Sequence, residues 1–370
     1  MRVALVHDWL NQQGGAERVL LELHALFPNA PVHTTFYAPD LLDEAFKNME
    51  IRTNWMQWLP GWRMHHQALL PFYPLAFGMM RVSNVELVIS NASGFCKGIR
   101  TPSDTAHICY CLTPTRFVWT PEDYLAREGY PRLLLPALRP LLGWMRRWDR
   151  AAAQRVTQFV AISTTVSDRI RRYYGRDAPV IHPPVDTQSF APTTEVEDYY
   201  LVVSRLIPYK RIDLAVQACT ATGRSLVVIG EGRDMSRLRA MAGPSIRFLG
   251  RLSDAEVRRY MARCRAFIFP GEEDFGIAPV EAQAAGRPVV AFAGGGALDT
   301  VKDSETGVLF REPTAASLQG ALDRADTHPF QTERLTTHAE TFGREQFRSK
   351  MRQIVEQTMA RTSMPTEERG

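Results

Sequence analysis

The chain is poor in the features that would mark a secreted, metal-bound or membrane-spanning protein. Its 370 residues include only five cysteines (Cys96, Cys109, Cys111, Cys219 and Cys264), with no Cys-x-x-Cys pair. That excludes a cysteine-rich zinc module or a disulfide framework and predicts reduced, cytosolic thiols. No run approaches about 18 uninterrupted apolar residues, so no spanning helix is expected. Charge of one sign is also missing: 44 Lys+Arg face 40 Asp+Glu, a formal +4. A dedicated nucleic-acid binder would carry a strongly basic domain, so nucleic acid is not an expected partner. Tryptophan is absent from the second half; all seven lie at positions 9, 55, 58, 62, 119, 144 and 148. At 45% hydrophobic and 23% charged, the composition is that of an ordinary globular protein, long enough for two cores.

The order of elements is legible from hydrophobic periodicity. Val3–His7 reads as a buried strand, Asn11–Gly15 as a polar turn, and Ala16, Val19, Leu20, Leu23 and Phe27 as one face of a helix. Further strands are predicted at Val32–Tyr37, Val85–Ser90, His107–Cys111 and Phe159–Ile162, with Ser163 capping a helix that Gly175 ends. After Tyr199 the alternation is regular. Strands at Tyr199–Val203, Ser225–Ile229, Ile246–Leu249, Ala266–Phe269 and Pro288–Phe292 alternate with helices near 211–219, 233–242, 254–264 and 279–285. Ser253 and Glu256 form a capping box, and Pro279 is expected to open the last of these helices. Strands spaced by helices require parallel pairing, hence two doubly wound α/β domains. The expected division is 1–185, 186–343, and a C-terminal segment 344–370 that ends in a frayed tail.

Three stretches carry candidate chemistry. In residues 269–290, an acidic loop leaves a strand end, where parallel sheets bind ligands. Glu273 precedes the following helix and Glu281 is expected in its first turn, while the amides of Phe275, Gly276 and Ile277 can cradle anions or hydroxyls. In residues 201–213, Arg205 leaves a strand and Lys210 is expected to start the next helix; a guanidinium and an ammonium together suit a diphosphate. Gly14 and Gly15 let a backbone approach a phosphate, or simply make a turn. Asp8 and Asn11 lie after the first strand and can bind acceptor hydroxyls or cap the helix. His7, His65, His66 and His182 have no metal-ligand spacing.

Taken together, GGAERV at 14–19, VIHPPVD at 180–186, SRLIPYKRID at 204–213, the Glu273/Glu281 pair and GGGALDTVKDSETGVLF at 294–310 resemble the family-four retaining glycosyltransferases. YCLTPTRFVW at 110–119 and AISTTVSDRIRRYYGR at 161–176 look closest to the mannosyltransferase-like branch that assembles bacterial surface polysaccharides. The resemblance implies the GT-B fold: two Rossmann-like domains facing a cleft, with the last helix crossing back to the first. It implies a nucleotide-sugar donor, GDP-linked, and a lipid-linked glycan acceptor. On that likeness Glu281 holds the ribose, Arg205 and Lys210 the diphosphate, and Glu273 with Phe275–Ile277 the transferred sugar. Gly14 and Gly15 would close over the diphosphate, and Gly230–Gly232 with Arg251 and Leu252 would line the base. The implied catalytic residues are Arg205, Lys210 and Glu273. No Asp-x-Asp occurs, so neither a metal nor any other cofactor is expected.

Two positions depart from the family pattern. Leu112 replaces a histidine that in the family lies near the C6 hydroxyl of the transferred sugar, and Asp299 replaces a glutamate. Leu112 is either drift in the pocket wall or an apolar wall for a 6-deoxyhexose. The competing readings are a non-catalytic nucleotide-sugar scaffold, a nucleotide-sugar epimerase, and a nicotinamide dehydrogenase. The last is weakened by Met235 where a third glycine would stand. Residues 55–80 are rich in aromatics that can bind a lipid-linked acceptor or pack in a core. Residues 131–155 hold six arginines (132, 139, 146, 147, 150, 155) against Asp149, which suits peripheral contact with an anionic membrane on its cytoplasmic face, or a solvated helix face.

Overall fold

The structure is a computed structural model and describes residues 1–129, 133 and 135–363. The readings of Arg132 and of the tail fall outside these, as do the side chains of His65 and His66. The chain divides into two compact units, residues 1–184 with 347–370, and residues 185–346.

The first unit holds β1 (Val3–His7), β2 (Val32–Thr34), β3 (Ile51–Thr53), β4 (Leu87–Ala92), β5 (Ala106–Cys111) and β6 (Gln158–Ala161). All pair in parallel in the order β3-β2-β1-β4-β5-β6. The second unit repeats the pattern with β7 (Tyr200–Val203), β8 (Leu226–Ile229), β9 (Ile246–Gly250), β10 (Phe267–Phe269), β11 (Val289–Phe292) and β12 (Gly307–Phe310). Their order is β12-β11-β10-β7-β8-β9. In both sheets the chain reverses its direction of travel next to the first strand, between β1 and β4 and between β7 and β10. In open parallel sheets ligands bind outside the carboxyl ends of the strands at such a point.

Both faces of each sheet are covered, so the strands are continuous apolar runs. In the second unit Tyr200, Val202, Leu226 and Val228 face one core, while Leu201, Val227 and Ile229 face the other. Two strands were not predicted: β3, an edge of Ile51-Arg52-Thr53 with no apolar run and two exposed residues, and β12, at an edge of the second sheet.

Six helices matter below. These are α1 (Gly15–Leu26), α2 (Leu135–Gln154), α3 (Thr164–Tyr174), α4 (Asp254–Arg263), α5 (Ile277–Ala284) and α6 (Arg344–Ser363). Ser163 caps α3 through the Val166 amide, Gly175 ends it at φ +64°, and the Ser253/Glu256 capping box opens α4. The last helix belongs mostly to the first unit. Phe347 packs edge-on against Tyr110 at 5.5 Å, and Arg348 binds Glu22 at 2.7 Å.

The predicted helix start at Pro279 is corrected. Gly276 is the N-cap and Ile277 the first helical residue, so Pro279 lies within the first turn, where its missing N–H has no partner to lose. Glu281 accordingly stands in the second turn. Lys210 does not open a helix either. It ends a 3₁₀ turn, Pro208–Lys210, and Arg211 then adopts φ +53° before the helix Ile212–Thr222 begins.

Candidate functional site

The carboxyl edge of the second sheet carries the expected donor residues other than Gly14 and Gly15, which belong to the first unit. The loops after β7, β8 and β9 are tied to one another by backbone hydrogen bonds. The Ser204 amide donates to Ile229 O at 3.0 Å, Leu206 to Glu231 O at 2.8 Å, and Gly230 to Gly250 O at 2.7 Å. Gly230 has φ +131°, and a β-carbon there would overlap the Ser204 carbonyl oxygen, so the approach of these two loops requires glycine. Arg251, exposed, and Leu252, half-buried, follow directly on the third loop. Arg205, Gly230, Arg251 and Leu252 therefore share one rim.

At the switch point itself, Lys210 Nζ pairs with Glu273 Oε1, with side chains 14% and 22% exposed. The two were expected on separate parts of a ligand; the structure joins them. Arg211 is held in its left-handed conformation, which costs a non-glycine residue roughly 1–2 kcal/mol, by Asp213 at 3.3 Å. That bend turns Lys210 toward the loop after β10. The loop is fixed in turn by Gly296, whose amide donates to Glu273 O at 2.8 Å. Arg205 is exposed, and its guanidinium makes no ion pair or hydrogen bond among the described residues. The Phe275 ring is buried against Phe342 at 5.9 Å, while Gly276, at φ +85°, and Ile277 open α5 with amides that have no helical partner. Asp299 is half-buried in the short helix Ala297–Thr300 behind the Gly294–Gly296 loop. The arrangement can place a guanidinium, an ammonium and a set of free amides around a polyanion, with carboxylates nearby for hydroxyls.

The corresponding edge of the first sheet corrects one expectation. Asp8 is 1% exposed and is not available to a ligand. One of its oxygens accepts from the Ser93 and Gly94 amides at 2.7 and 2.8 Å, the other from Phe95 and Cys96 at 2.7 and 2.8 Å. It clamps the loop after β4. Asn11 is half-buried with an unpartnered Oδ1, and Gly14 and Gly15 form the N-cap and first residue of α1. Leu112 follows β5, half-buried, with its amide on Ala92 O at 2.8 Å. His107 points into the sheet, 2.9 Å from Ser90 Oγ, and burial holds it down to about 3, so it takes no part at this edge. His182 lies against Ile162 O at 3.1 Å.

Sequence reasoning missed a second lysine pair. Lys97, in the loop that Asp8 clamps, is 1% exposed and binds Asp149 of α2 at 2.5 Å, Gly94 O at 2.7 Å and Thr115 Oγ1 at 3.1 Å. Asp149 also accepts from Trp119 Nε1 and Tyr174 OH, both at 2.7 Å. Burial would depress the ammonium, but the Asp149 carboxylate outweighs it and holds Lys97 above the ordinary lysine value. Burial, with Asp149 beside it, pushes the Tyr174 phenol well up. No spacing in the sequence signals such a long-range pair.

The arginine-rich segment spends part of its charge within its own unit. Arg146 donates to Val118 O, Arg150 to Tyr173 O while lying over the Trp119 ring, and Arg155 to Gly98 O. Arg139 and Arg147 remain outward, beside Trp144 at 45% exposure. The aromatic stretch 55–80 divides similarly. Trp62 stacks on Phe36 at 4.8 Å and Tyr73 is fully buried, whereas Trp58 is 85% exposed. All five cysteines are buried and free, and burial raises the Cys96 and Cys111 thiols. Among the described residues no group of three His, Cys, Asp or Glu is placed to hold a metal ion, and no helix is long and apolar enough to cross a membrane.

Comparison with known families fits this division of the chain. Residues 13–189 match Glycosyltransferase Family 4, and residues 186–341 match Glycosyl transferases group 1. Each of the two parts of the chain thus resembles a glycosyltransferase domain. A 136-residue stretch is 34% identical to the glycogen synthase of Pseudomonas syringae pv. syringae (strain B728a), covering 34% of this chain and 28% of that protein. A 220-residue stretch is 29% identical to the GDP-mannose-dependent alpha-(1-6)-phosphatidylinositol monomannoside mannosyltransferase of Mycolicibacterium smegmatis, covering 50% of this chain and 58% of that one. The chain thus matches only part of these relatives' length. The structure of Anabaena HepE in complex with UDP-glucose superposes with a TM-score of 0.68 at 16% identity, covering 96% of this chain and all of that one. At that identity the likeness is one of fold, and the two parallel six-stranded sheets are those of a GT-B protein.

Proposed function

We propose that the chain is a retaining, metal-independent hexosyltransferase that moves mannose or a 6-deoxyhexose from a nucleotide-diphosphate sugar to a lipid-linked glycan in surface-polysaccharide synthesis. One observation carries this reading: the unpaired Arg205 guanidinium on the same loop as Lys210, which pairs with Glu273 at the switch point of the second sheet. Breaking the bond between the sugar C1 and the diphosphate builds negative charge on the leaving oxygens. Arg205 and Lys210 are cations suited to that charge, and fixed charges aimed at a developing anion are strong contributors to catalysis. Glu273, with the opening amides of α5, then orients the sugar, Glu281 the ribose, and Gly230, Arg251 and Leu252 the base. Lys210 is neutralised by Glu273 until a diphosphate competes for it. Retention implies front-face attack, with the leaving phosphate taking the acceptor's proton, so no separate carboxylate base is needed.

A GDP-linked donor is supported by the GDP-mannose-dependent relative, and Leu112 supports a donor whose C6 bears a methyl. Trp144 with Arg139 and Arg147 supports peripheral contact with an anionic membrane from the cytoplasmic side. The deciding experiment is a titration with GDP, UDP, dTDP and their sugars, read by thermal shift. Stabilisation by the GDP series, lost in Arg205→Ala and Lys210→Ala, is the expected result. Equal, variant-independent responses to all of them would overturn the assignment.

A further inference from the structure

Directly behind the Gly14–Gly15 turn is a buried acid that the proposed reaction does not use. Glu17, in the first turn of α1, is 1% exposed, and its Oε1 lies 3.5 Å from Nε2 of His7, the last residue of β1. The orientation of this pair follows from Asn91 at the end of β4. The Asn91 amide nitrogen donates to Ala16 O at 2.7 Å, which fixes which end of the amide carries the hydrogens. The same nitrogen reaches His7 Nδ1 at 3.3 Å. Nδ1 therefore accepts, the ring proton sits on Nε2, and it is directed at Glu17. The second carboxylate oxygen, Oε2, is buried and has no donor among the described residues, and neither has Asn91 Oδ1. A β-carbon on Gly14 would stand 3.1 Å from Oε2, so the glycine and the carboxylate shape one another.

Stability does not account for this carboxylate. Burying an acid with one oxygen unsatisfied is unfavourable. Asp8, on the same edge, shows the alternative, with both oxygens filled by backbone amides. A neutral glutamine of the same shape would suit position 17 better on stability alone. A negative charge in the first turn of a helix does hold that turn against the helix dipole.

We propose that Glu17 is a positioning residue, fixing the Gly14–Gly15 turn through His7 and Asn91 in the form needed for glycosyl transfer. This rests on the transferase reading above. The reacting groups of a transfer must be held closely, and a displacement of about 1 Å can cost as much as about 100-fold in rate.

The test separates position from stability. In Glu17→Gln the melting temperature is expected to stay level or rise and the GDP Kd to stay within about twofold. The kcat for GDP-mannose breakdown should fall about tenfold or more. A kcat within about twofold of the parent, or a loss of kcat matched by a loss of melting temperature, overturns the proposal. A second measurement needs no substrate. Gly14→Ala should lower the melting temperature, and adding Glu17→Ala should recover at least about half of that loss; additive losses overturn the proposal. If the parent chain breaks down no nucleotide sugar, the transferase reading fails, and the stability cycle still decides whether turn and carboxylate form one unit.

Discussion

Each unit carries, in a loop at the switch point of its sheet, a lysine paired with a carboxylate, and the two pairs behave oppositely. Lys97 and Asp149 are sealed in, and between them they engage Gly94, Thr115, Trp119 and Tyr174. Lys210 and Glu273 are partly exposed and have, among the described residues, only each other and the Tyr209 ring near the ammonium. The chemistry of the two pairs is alike; their remaining hydrogen-bonding capacity is not. A saturated pair holds a fold together, whereas a pair with donors and acceptors left over can exchange its partner for a ligand.

The largest effect should come from breaking the sealed pair. Asp149→Ala leaves a buried ammonium without its counter-charge, and about 3–5 kcal/mol of stability should be lost in urea unfolding. A loss under about 1 kcal/mol would erase the contrast between the two pairs. Lys210→Ala should do the reverse. Turnover of the nucleotide sugar should drop by about 10²–10³, or about 2.7–4 kcal/mol of barrier, with stability changed by less than about 1 kcal/mol. Near-normal kinetics in both Lys210→Ala and Arg205→Ala would sink the transferase assignment.

Acid should also distinguish the units. Burial, and Arg52 beside it, hold His33 down to about 4, and burial holds His107 down to about 3; both are in the first sheet. Because the unfolded chain binds these protons near pH 6.5 and the folded chain does not, stability is lost as pH falls from about 6.5 toward 4. The slope is about 1.4 kcal/mol per pH unit for each histidine. Hydrogen exchange at pH 5 should therefore show the first unit opening before the second, and His107→Gln should flatten its response. The smallest effect concerns Leu112. Restoring a histidine there should shift the preference between mannose and 6-deoxy donors by about tenfold, toward mannose.

Much of this was legible in the sequence, for definable reasons. Ser163, Gly175 and the Ser253/Glu256 box act within a turn or two of chain, so local spacing reveals them. The central strands are apolar runs because both faces are covered. Edge strand β3 is Ile51-Arg52-Thr53, and with no apolar run it leaves no signal. The rim of Arg205, Gly230, Arg251 and Leu252 was readable because these residues sit at strand ends, which the alternation itself locates. Asp8 was misread because nothing local shows that four backbone amides from residues 93–96 converge on it. Nor does the charge count of residues 131–155 show that three of its arginines end on carbonyl oxygens of the same unit.

The return of α6 sets an order of events during synthesis. The second unit is one contiguous stretch, whereas the first is interrupted after residue 184 and resumes only at 347. A ribosome therefore releases all of the second unit before it supplies Phe347, Met351 and Val355, each at most 5% exposed in the finished first unit. The domain begun first is the one finished last. Until those side chains arrive, Tyr110 lacks its edge-on ring and Glu22 its arginine, and the early chain must wait with that side of its core uncovered.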